Sequence, residues 1–406
     1  MRKAVPVADL QFGMYIAELD RPWTDTPFIF QGFVLQTAQQ LQILKEYCKV
    51  VYVDPERGQV GAAPLDTIPP RGRSVVDLSR TGKFRWTELA SVEDEYSRAA
   101  GNHAHANRVM RECVVALRSA KVLPADMLCE AVSRITESVL RNADAMLLFS
   151  QLEEKGDYTE SHALDCSIYM TAFARFLGMS REDILFVGHL GLLQDIGKLR
   201  VPTTLIKKRG RLIPFERDLA NAHVEYSAEI LHATPGLPRG LAEAALLHHE
   251  RHDGSGYPRK LRGKEIGLIG SMAAIVDTFD ALTARRPYAE PVSPSAALNM
   301  LYGTRGTWFD AYLVEQFIRC IGVFPVGSII ELNDGEIGVV IAQNRAKRLL
   351  PRVIVMRDGA GNPLNPQKLI DLSRGTTASN GEPYRIKRTH EWGKIPVSAK
   401  ELFLNV

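Results

Sequence analysis

The 406-residue sequence lacks the features of several protein classes. Its five cysteines include no Cys-x-x-Cys pair, which argues against a disulfide framework or a cysteine-based zinc site. No apolar run reaches the roughly 18 residues that span a bilayer. Asp9 interrupts the apolar stretch that a signal peptide would need after the basic start. We therefore expect a cytoplasmic protein that has no membrane partner.

An excess of charge of one sign is also missing. The net charge of +3 is too weak for a bulk binder of nucleic acid or membrane surfaces. Basic residues occur in short loops, between Ile196 and Pro214 and again after Pro258, without a nucleic-acid recognition motif. Two interpretations of these loops stay open: a solvated surface, or an electrostatic funnel for a small dianion. Duplex nucleic acid is not an expected partner.

Composition and hydrophobic periodicity predict a multi-domain fold. An α+β module and a β module, each small, flank a central all-α bundle, whose helices show apolar residues at three- and four-residue spacing. A stretch rich in proline, glycine and arginine predicts a linker, and Asn-Asp-Gly predicts a hairpin in the β module. The predicted parts are the α+β module 1–54, the linker 55–85, the helical domain 86–321 with its core at 150–320, the β module 322–375 and the C-terminal tail 376–406.

Histidine and aspartate residues in the helical part stand out because the stretches around them are apolar. One such residue is ordinarily a core or surface side chain, but burying six is costly unless they are paired or bound to metal. A mixed His and Asp set suits Fe, Mn or Zn better than Mg or Ca. The candidates are His162, Asp195, His223, His248, His249 and Asp277. The helices predicted to carry them span 159–178, 181–195, 215–233, 238–251 and 266–285.

Three strings of sequence resemble the HD-GYP family, a branch of the HD phosphohydrolases. They are QDIGK at 194–198, HHERHDGSGYP at 248–258 and VDTFDALTARRPY at 276–288. The similarity covers about 150–320, and residues 1–54 resemble a domain of unknown function that is often fused to this family. The resemblance implies an all-helical domain with a two- or three-metal centre. It also implies hydrolysis of the bacterial second messenger cyclic di-GMP to pGpG or GMP.

Carried over by position, the resemblance gives the candidate ligands their roles. It implies that Asp195 bridges two divalent transition metals, with Fe and Mn the leading candidates. His223, His248 and His249 are implied to complete one metal site with Asp195. His162 and Asp277 are implied to serve the other site.

The resemblance also implies roles for residues beside the metals. Lys198 is implied to stabilise charge on the phosphate, and Arg286 to contact a phosphate or base of the ligand. The loop beside the pocket is implied to be shaped by Gly256, Tyr257 and Pro258. Asp195 and Lys198 are the catalytic candidates, because a spacing of three residues places both on one face of a helical turn. Asp280, three residues after Asp277, is expected to orient a ligand or to cap a helix.

Two residues depart from the family pattern. Gln194 stands where the family has a metal-binding histidine, and a neutral amide oxygen is a poorer donor to transition metals. Losing even an outer partner of a ligand typically costs roughly 10–100-fold in metal affinity or activity. His189 is no replacement, because five residues along a helix turn it about 140° away from Gln194. Ala289 stands where the family often has a basic residue.

Two functions of different classes therefore remain open. The first is a metal-dependent cyclic di-GMP phosphodiesterase whose activity is weakened by Gln194. The second is a catalytically inactive receptor or scaffold that binds cyclic di-GMP or a signalling partner of the diguanylate cyclase type. The set of metal ligands favours the first, whereas Gln194 and Ala289 favour the second. A third option is hydrolysis of another cyclic dinucleotide. The sequence leaves the oligomeric state open.

Overall fold

The computed structural model describes residues 2–21, 26, 32–35, 38–55, 76–119, 121–152, 158–208, 210–284, 291–378 and 381–390. The chain divides into two compact units, one of residues 1–72 with 322–395 and one of residues 73–321 with 396–406. Within the described ranges, no helix is both long enough and apolar enough to cross a bilayer. The predicted linker lies largely outside these ranges, and its boundaries remain a prediction.

The N-terminal part of the first unit contains a four-stranded antiparallel sheet. Its elements are β1 (Lys3–Pro6), β2 (Tyr15–Leu19), β3 (Phe33–Val34), α1 (Ala38–Tyr47) and β4 (Val50–Asp54). The strands pair in the order β1-β4-β2-β3. Alternation along the strands buries Ile16, Val51 and Val53 in a core with Leu35 and Leu44. This is the predicted small α+β module.

The C-terminal part of the first unit contains a five-stranded antiparallel sheet. Its strands are β5 (Ile329–Leu332), β6 (Ile337–Ala342), β7 (Arg352–Arg357), β8 (Pro363–Asp371) and β9 (Ile386–Thr389), in the order β8-β7-β6-β5-β9. Val340, Val353 and Val355 form its core with Ile330 and Leu332. Strand β9 pairs with β5, although its residues fall in the segment that we predicted to be a polar tail.

The second unit is helical. Its helices are α2 (Val92–Arg118), α3 (Ala125–Arg141), α4 (Ala143–Leu152), α5 (Tyr158–Phe176), α6 (Arg181–Leu193), α7 (Thr203–Ile206), α8 (Pro214–Asn221), α9 (His223–His232), α10 (Leu241–Ala245), α11 (Gly267–Thr283), α12 (Pro294–Gly303) and α13 (Ala311–Ile321). The rings of Phe173, Phe279 and Phe317 meet edge to face at 5.2 Å and join α5, α11 and α13. The predicted multi-domain fold class is confirmed.

Helices α5 and α6 approach each other closely because α6 carries a glycine at the contact. A Cβ atom at Gly191 would lie 2.6 Å from the carbonyl carbon and oxygen of Cys166, which is closer than real Cβ atoms come. Ser167 of α5 also donates a hydrogen bond to the Gly188 carbonyl of α6 at 2.8 Å. This close packing brings the end of α6 beside the helix that carries His162.

A tight turn follows α6. The α-helix ends at Leu193, two residues before its predicted end, and Ile196–Arg200 forms a 3-10 turn. Gly197 lies in this turn against α9, where a Cβ atom would collide with the His223 carbonyl oxygen. Its N–H donates a hydrogen bond to Ser227 Oγ at 2.8 Å. The turn thereby holds Asp195 next to His223, the first residue of α9.

Candidate metal centre

The six predicted ligands come together in the helical unit. His162 lies on α5, Asp195 follows α6, His223 begins α9, His248 and His249 lie in the turn after α10, and Asp277 lies on α11. Their donor atoms form two groups, each within 4.8 Å: Asp195 with His223, His248 and His249, and Asp195 with His162 and Asp277. Asp195 is the member that both groups share.

The two carboxylate oxygens of Asp195 face different groups. Its Oδ1 lies 3.1 Å from His223 Nε2 and 3.5 Å from His248 Nε2. Its Oδ2 lies 3.0 Å from His162 Nε2 and accepts a hydrogen bond from Lys198 Nζ at 2.6 Å. One carboxylate can therefore serve two cations, one at each oxygen.

His162 is fixed by a second carboxylate behind it. Its Nδ1 lies 2.6 Å from Asp280 Oδ2, the geometry of an imidazole N–H that donates to a carboxylate. In that tautomer Nε2 carries a lone pair, which faces Asp195 Oδ2 at 3.0 Å and Asp277 Oδ1 at 3.1 Å. Three acceptors that converge in this way require a cation or a proton between them.

His223 and His248 are fixed by the backbone instead. Nδ1 of His223 lies 2.6 Å from the Ala220 carbonyl oxygen, and Nδ1 of His248 lies 2.7 Å from that of Ala245. A carbonyl oxygen can only accept, so we assign the proton of each neutral ring to Nδ1. Each Nε2 is then a lone-pair donor directed toward Asp195.

Several donor atoms of the centre are buried without a hydrogen bond. Among the described residues, Asp195 Oδ1, His223 Nε2 and His248 Nε2 have no hydrogen-bond partner, despite their short separations. A buried polar atom left unpaired costs roughly 1–3 kcal/mol. A divalent ion between these atoms would satisfy them together, so the residues fit a metal.

The environment favours the protonation states that bind metal. Burial raises the pKa of Asp195, but Lys198 and His162 outweigh burial and hold the pKa well below its usual value. Burial also raises the pKa of Asp277, which His162 and His249 lower by a larger amount. Burial lowers the pKa of His223, and burial with the neighbouring His248 lowers that of His249 further. These shifts favour ionised carboxylates at Asp195 and Asp277 and neutral imidazoles at His223 and His249, as metal ligation requires.

Gln194 lies directly before Asp195 and is 1% exposed. Both atoms of its amide, Oε1 and Nε2, are buried, and neither finds a hydrogen-bond partner in the described part of the chain. His189, which the sequence analysis excluded as a substitute ligand, is also buried. Its Nδ1 lies 2.8 Å from the Leu185 carbonyl oxygen of its own helix. His189 is not among the clustered donor groups.

The Gly-Tyr-Pro loop forms one side of the centre. Tyr257 stacks on His249 with ring centroids 4.7 Å apart and an interplanar angle of 27°. Gly256 passes so close to the backbone that its Cβ would lie 2.5 Å from Glu250 Cα. The buried Glu250 carboxylate accepts hydrogen bonds from the N–H groups of Arg259 at 2.7 Å and Leu261 at 2.9 Å. Glu250 therefore ties the residues after Pro258 to the histidine pair.

The basic residues near the centre differ in their surroundings. Lys198 contacts Asp195 and its side chain is 20% exposed, so its ammonium group can meet a ligand. Arg200 is paired with Glu229 at 2.6 Å, and Lys208 with Glu216 at 2.7 Å. These two pairs favour the solvated-surface interpretation for Arg200 and Lys208. Arg286 and Ala289 lie outside the described residues, so their predicted roles remain predictions.

Two residues of the site were not identified from the sequence. Cys166 lies one helical turn after His162, and its Sγ is 3.8 Å from both ring nitrogens. The four-residue spacing on α5 was a signal that could have been used. Glu250 lies inside the HHERHDGSGYP string, but its contacts to the loop depend on a turn that the sequence does not define. Asp280, for which two roles were open, contacts His162.

Comparisons with family models cover the three structured parts of the chain. The model described as "HD domain" matches residues 143–313. "Domain of unknown function (DUF3391)" matches residues 2–128, and "KOW domain associated with HD domain" matches residues 329–379. The last of these spans strands β5 to β8 of the C-terminal sheet.

Curated relatives match the chain over different lengths. A cyclic di-GMP phosphodiesterase of Pseudomonas aeruginosa is 31% identical over 384 residues, which are 92% of this chain and 90% of the relative. The cyclic di-GMP phosphodiesterase response regulator RpfG of Xanthomonas campestris is 38% identical over 148 residues, 36% of this chain and 39% of the relative. The 3'3'-cGAMP-specific phosphodiesterase 3 of Vibrio cholerae is 37% identical over 174 residues, 43% of this chain and 38% of the relative. The chain therefore belongs to the HD-GYP family of HD-domain proteins.

Proposed function

We propose that the protein is a metal-dependent phosphodiesterase that hydrolyses cyclic di-GMP to pGpG or GMP. The observation that carries the proposal is the Asp195 carboxylate, whose two oxygens face two separate groups of imidazole and carboxylate donors. The relative that matches nearly the whole chain is named for this substrate. The basic Lys198 at the centre suits an anionic phosphodiester.

The centre has the parts that hydrolysis of a phosphodiester requires. A divalent ion bound there would polarise a phosphoryl oxygen and lower the pKa of a water molecule. Asp195 keeps the two donor groups together, and Lys198 places a positive charge 2.6 Å from Asp195 Oδ2, where it can offset charge on the phosphate. Tyr257, stacked on His249, gives the pocket an aromatic wall that suits a nucleotide ligand.

Each side of the centre has its proposed ligands. We assign one metal to Asp195, His223, His248 and His249, and the other to His162, Asp195 and Asp277. Fe and Mn are the leading ions, because mixed imidazole and carboxylate donors suit them. Gln194 leaves the second side with one imidazole where the family pattern gives two, so we expect turnover below that of a histidine-containing family member. Gly256, Pro258 and Arg286 remain proposed contacts of the substrate.

A catalytically inactive receptor is the second candidate. The observation that favours it is Gln194, because the amide supplies a weaker donor where the family pattern has an imidazole. In this case the centre would hold metal and cyclic di-GMP without cleavage, and the complex would act on a signalling partner of the diguanylate cyclase type.

Incubation of Mn²⁺- or Fe²⁺-loaded protein with cyclic di-GMP, followed by chromatography of the nucleotides, separates the candidates. The enzyme proposal predicts pGpG or GMP from wild type and none from Asp195→Ala. Intact cyclic di-GMP with both wild type and Gln194→His would rule out hydrolysis of this substrate, and calorimetric binding would then support the receptor. Parallel reactions with 3'3'-cGAMP test the other cyclic dinucleotide.

A further inference from the structure

Gln194 differs from the ligands around it in the atoms it can offer. Its amide is 1% exposed, and within the described ranges neither Oε1 nor Nε2 has a hydrogen-bond partner. A buried polar group without a hydrogen-bond partner destabilises the folded protein. The amide therefore needs a partner that the described part of the chain does not supply. Gln194 directly precedes Asp195, the residue that both donor groups share, and it occupies the position where the family pattern has a metal-binding histidine.

The two donor groups differ in their balance of nitrogen and oxygen. The group of Asp195 with His223, His248 and His249 offers three imidazole nitrogens and one carboxylate oxygen. The group of His162, Asp195 and Asp277 offers one nitrogen and two oxygens. A Gln194 amide oxygen would raise the second group to three oxygens, whereas a histidine there would have given two nitrogens and two oxygens.

Donor type decides which ion a site prefers. Imidazole suits Zn²⁺, Fe²⁺ and Ni²⁺, and carboxylate and carbonyl oxygens suit Mg²⁺, Ca²⁺ and Mn²⁺. A set with one imidazole and three oxygens favours Mn²⁺ over Zn²⁺ relative to the three-histidine set, and its imidazole favours Mn²⁺ over Mg²⁺. An amide in place of an imidazole therefore changes the preference between ions as well as the strength of binding.

We propose that the centre holds two unlike metals and that Gln194 is the ligand that makes them unlike. The three-histidine subsite takes an ion such as Zn²⁺ or Fe²⁺, and the oxygen-rich subsite completed by the Gln194 amide selects Mn²⁺. This inference rests on the metal centre of the proposed function, but it concerns binding and does not depend on turnover.

Charge around the second subsite agrees with a hard dication. Asp195 and Asp277 lie 3.0 Å and 3.1 Å from His162 Nε2, and Asp280 lies 2.6 Å from its Nδ1. Three carboxylates thus surround one imidazole. Lys198, bonded to Asp195 Oδ2, offsets one of these charges, so a dication is needed to balance the others.

A sequential titration tests the proposal. Chelator-treated protein is loaded with one equivalent of Zn²⁺ and then titrated with Mn²⁺, while the resonance spectrum of aqueous Mn²⁺ reports the free ion and elemental analysis reports retained Zn²⁺. Wild type should bind one further Mn²⁺ per chain and keep its Zn²⁺. Gln194→His should bind a second Zn²⁺ about 10–100-fold more tightly than wild type, with a smaller change for Mn²⁺.

Gln194→Met removes both amide atoms and keeps the length of the side chain. It should weaken Mn²⁺ binding at the second subsite at least about 10-fold. The melting temperature of the metal-free variant should not fall, because an apolar group replaces an unpaired buried amide. His189→Gln is the matched control, since it makes the His-to-Gln exchange at a buried position of α6 outside the donor groups, and its metal affinities should equal those of wild type.

The outcomes separate this inference from the proposed function. Unchanged Mn²⁺ affinity in Gln194→Met would show that the amide does not bind the ion, and a buried water would then be its partner. Wild type that prefers Zn²⁺ at both subsites would also overturn the inference, whatever its activity. If the protein binds two different metals but does not cleave cyclic di-GMP, this inference stands and the proposal of a hydrolase is wrong.

Discussion

The two sides of the metal centre hold their imidazoles by different means. On one side, His223 and His248 direct Nδ1 to the backbone carbonyls of Ala220 and Ala245. On the other, His162 directs Nδ1 to the Asp280 carboxylate. A carbonyl is supplied by the fold and cannot be removed by substitution, whereas a carboxylate partner is a side chain that can change. We assign Gln194 to the side with the replaceable partner.

Asp195 joins the two sides, so its removal should have the largest effect. In Asp195→Ala, each subsite loses a direct ligand, and even an outer partner is worth roughly 10–100-fold in affinity or activity. We expect cleavage of cyclic di-GMP to fall below detection and bound metal to fall on both sides. Elemental analysis and nucleotide chromatography would measure both. Asp218→Ala, an exposed acid on α8, is the control. Full metal content in Asp195→Ala would refute a shared ligand.

Gln194→His should strengthen metal binding only on the side of His162 and Asp277. The added imidazole should raise the rate of cyclic di-GMP hydrolysis by about 10-fold or more, by the same magnitude that governs ligand loss. The affinity of the three-histidine side should stay within experimental error. Steady-state rates at saturating Mn²⁺ or Fe²⁺ measure the first effect, and Zn²⁺ titration the second. A rate that does not rise would show that the amide is not what limits turnover.

Asp280→Ala tests the side-chain partner of His162. Without the carboxylate, Nδ1 loses its acceptor and the ring its orientation, which should weaken the second metal roughly 10–100-fold and leave the first unchanged. Asp280→Asn retains an acceptor oxygen and should lose less. Competition with a metal-binding dye would resolve the two affinities. Equal losses on both sides would mean that Asp280 supports the whole helical core.

Four of the six candidate ligands were predictable because Asp195, His248, His249 and Asp277 lie in short strings that resemble a known family. The geometry between the strings was not. His162 and Asp280 are 118 positions apart in the chain and meet only because α5 and α11 pack together. The sequence therefore left Asp280 with two possible roles. Strand β9 was missed for the same reason, since Glu331 of β5 and Arg388 of β9 pair across 57 positions.

Local periodicity also failed where tertiary contacts end a helix. A helix was predicted over 238–251, but α10 ends at Ala245. His248 and His249 lie in the turn that follows, because Glu250 is drawn into contacts with the backbone N–H groups of the next loop. Such contacts override the helix propensity of an apolar stretch with alanine and leucine.

Glu250 connects the three-histidine side to the residues that follow the Gly-Tyr-Pro loop. Its replacement should weaken binding of the proposed substrate without loss of metal. In Glu250→Gln, one carboxylate oxygen that accepts from Arg259 or Leu261 is replaced by an NH₂ group, which leaves an N–H unsatisfied at roughly 1–3 kcal/mol. We expect weaker binding of cyclic di-GMP with both metals retained. Calorimetry on metal-loaded protein checks this. Loss of metal with unchanged affinity for the ligand would contradict it.

The smallest effect is expected at Arg200, which lies two residues after Lys198 but is already paired with Glu229 at 2.6 Å. Exposed pairs of this kind are worth roughly 0.2–1 kcal/mol. Arg200→Ala should therefore change kcat/KM for cyclic di-GMP less than about 3-fold at physiological ionic strength, where exposed charges are screened beyond about 8 Å. Lys198→Ala should instead lower turnover strongly, because its ammonium group contacts Asp195.

Measurements at low and high salt distinguish the two interpretations of the basic loop. A steep loss in Arg200→Ala that disappears in high salt would restore the electrostatic funnel, because a long-range field acts mainly on the rate of encounter and is removed by screening.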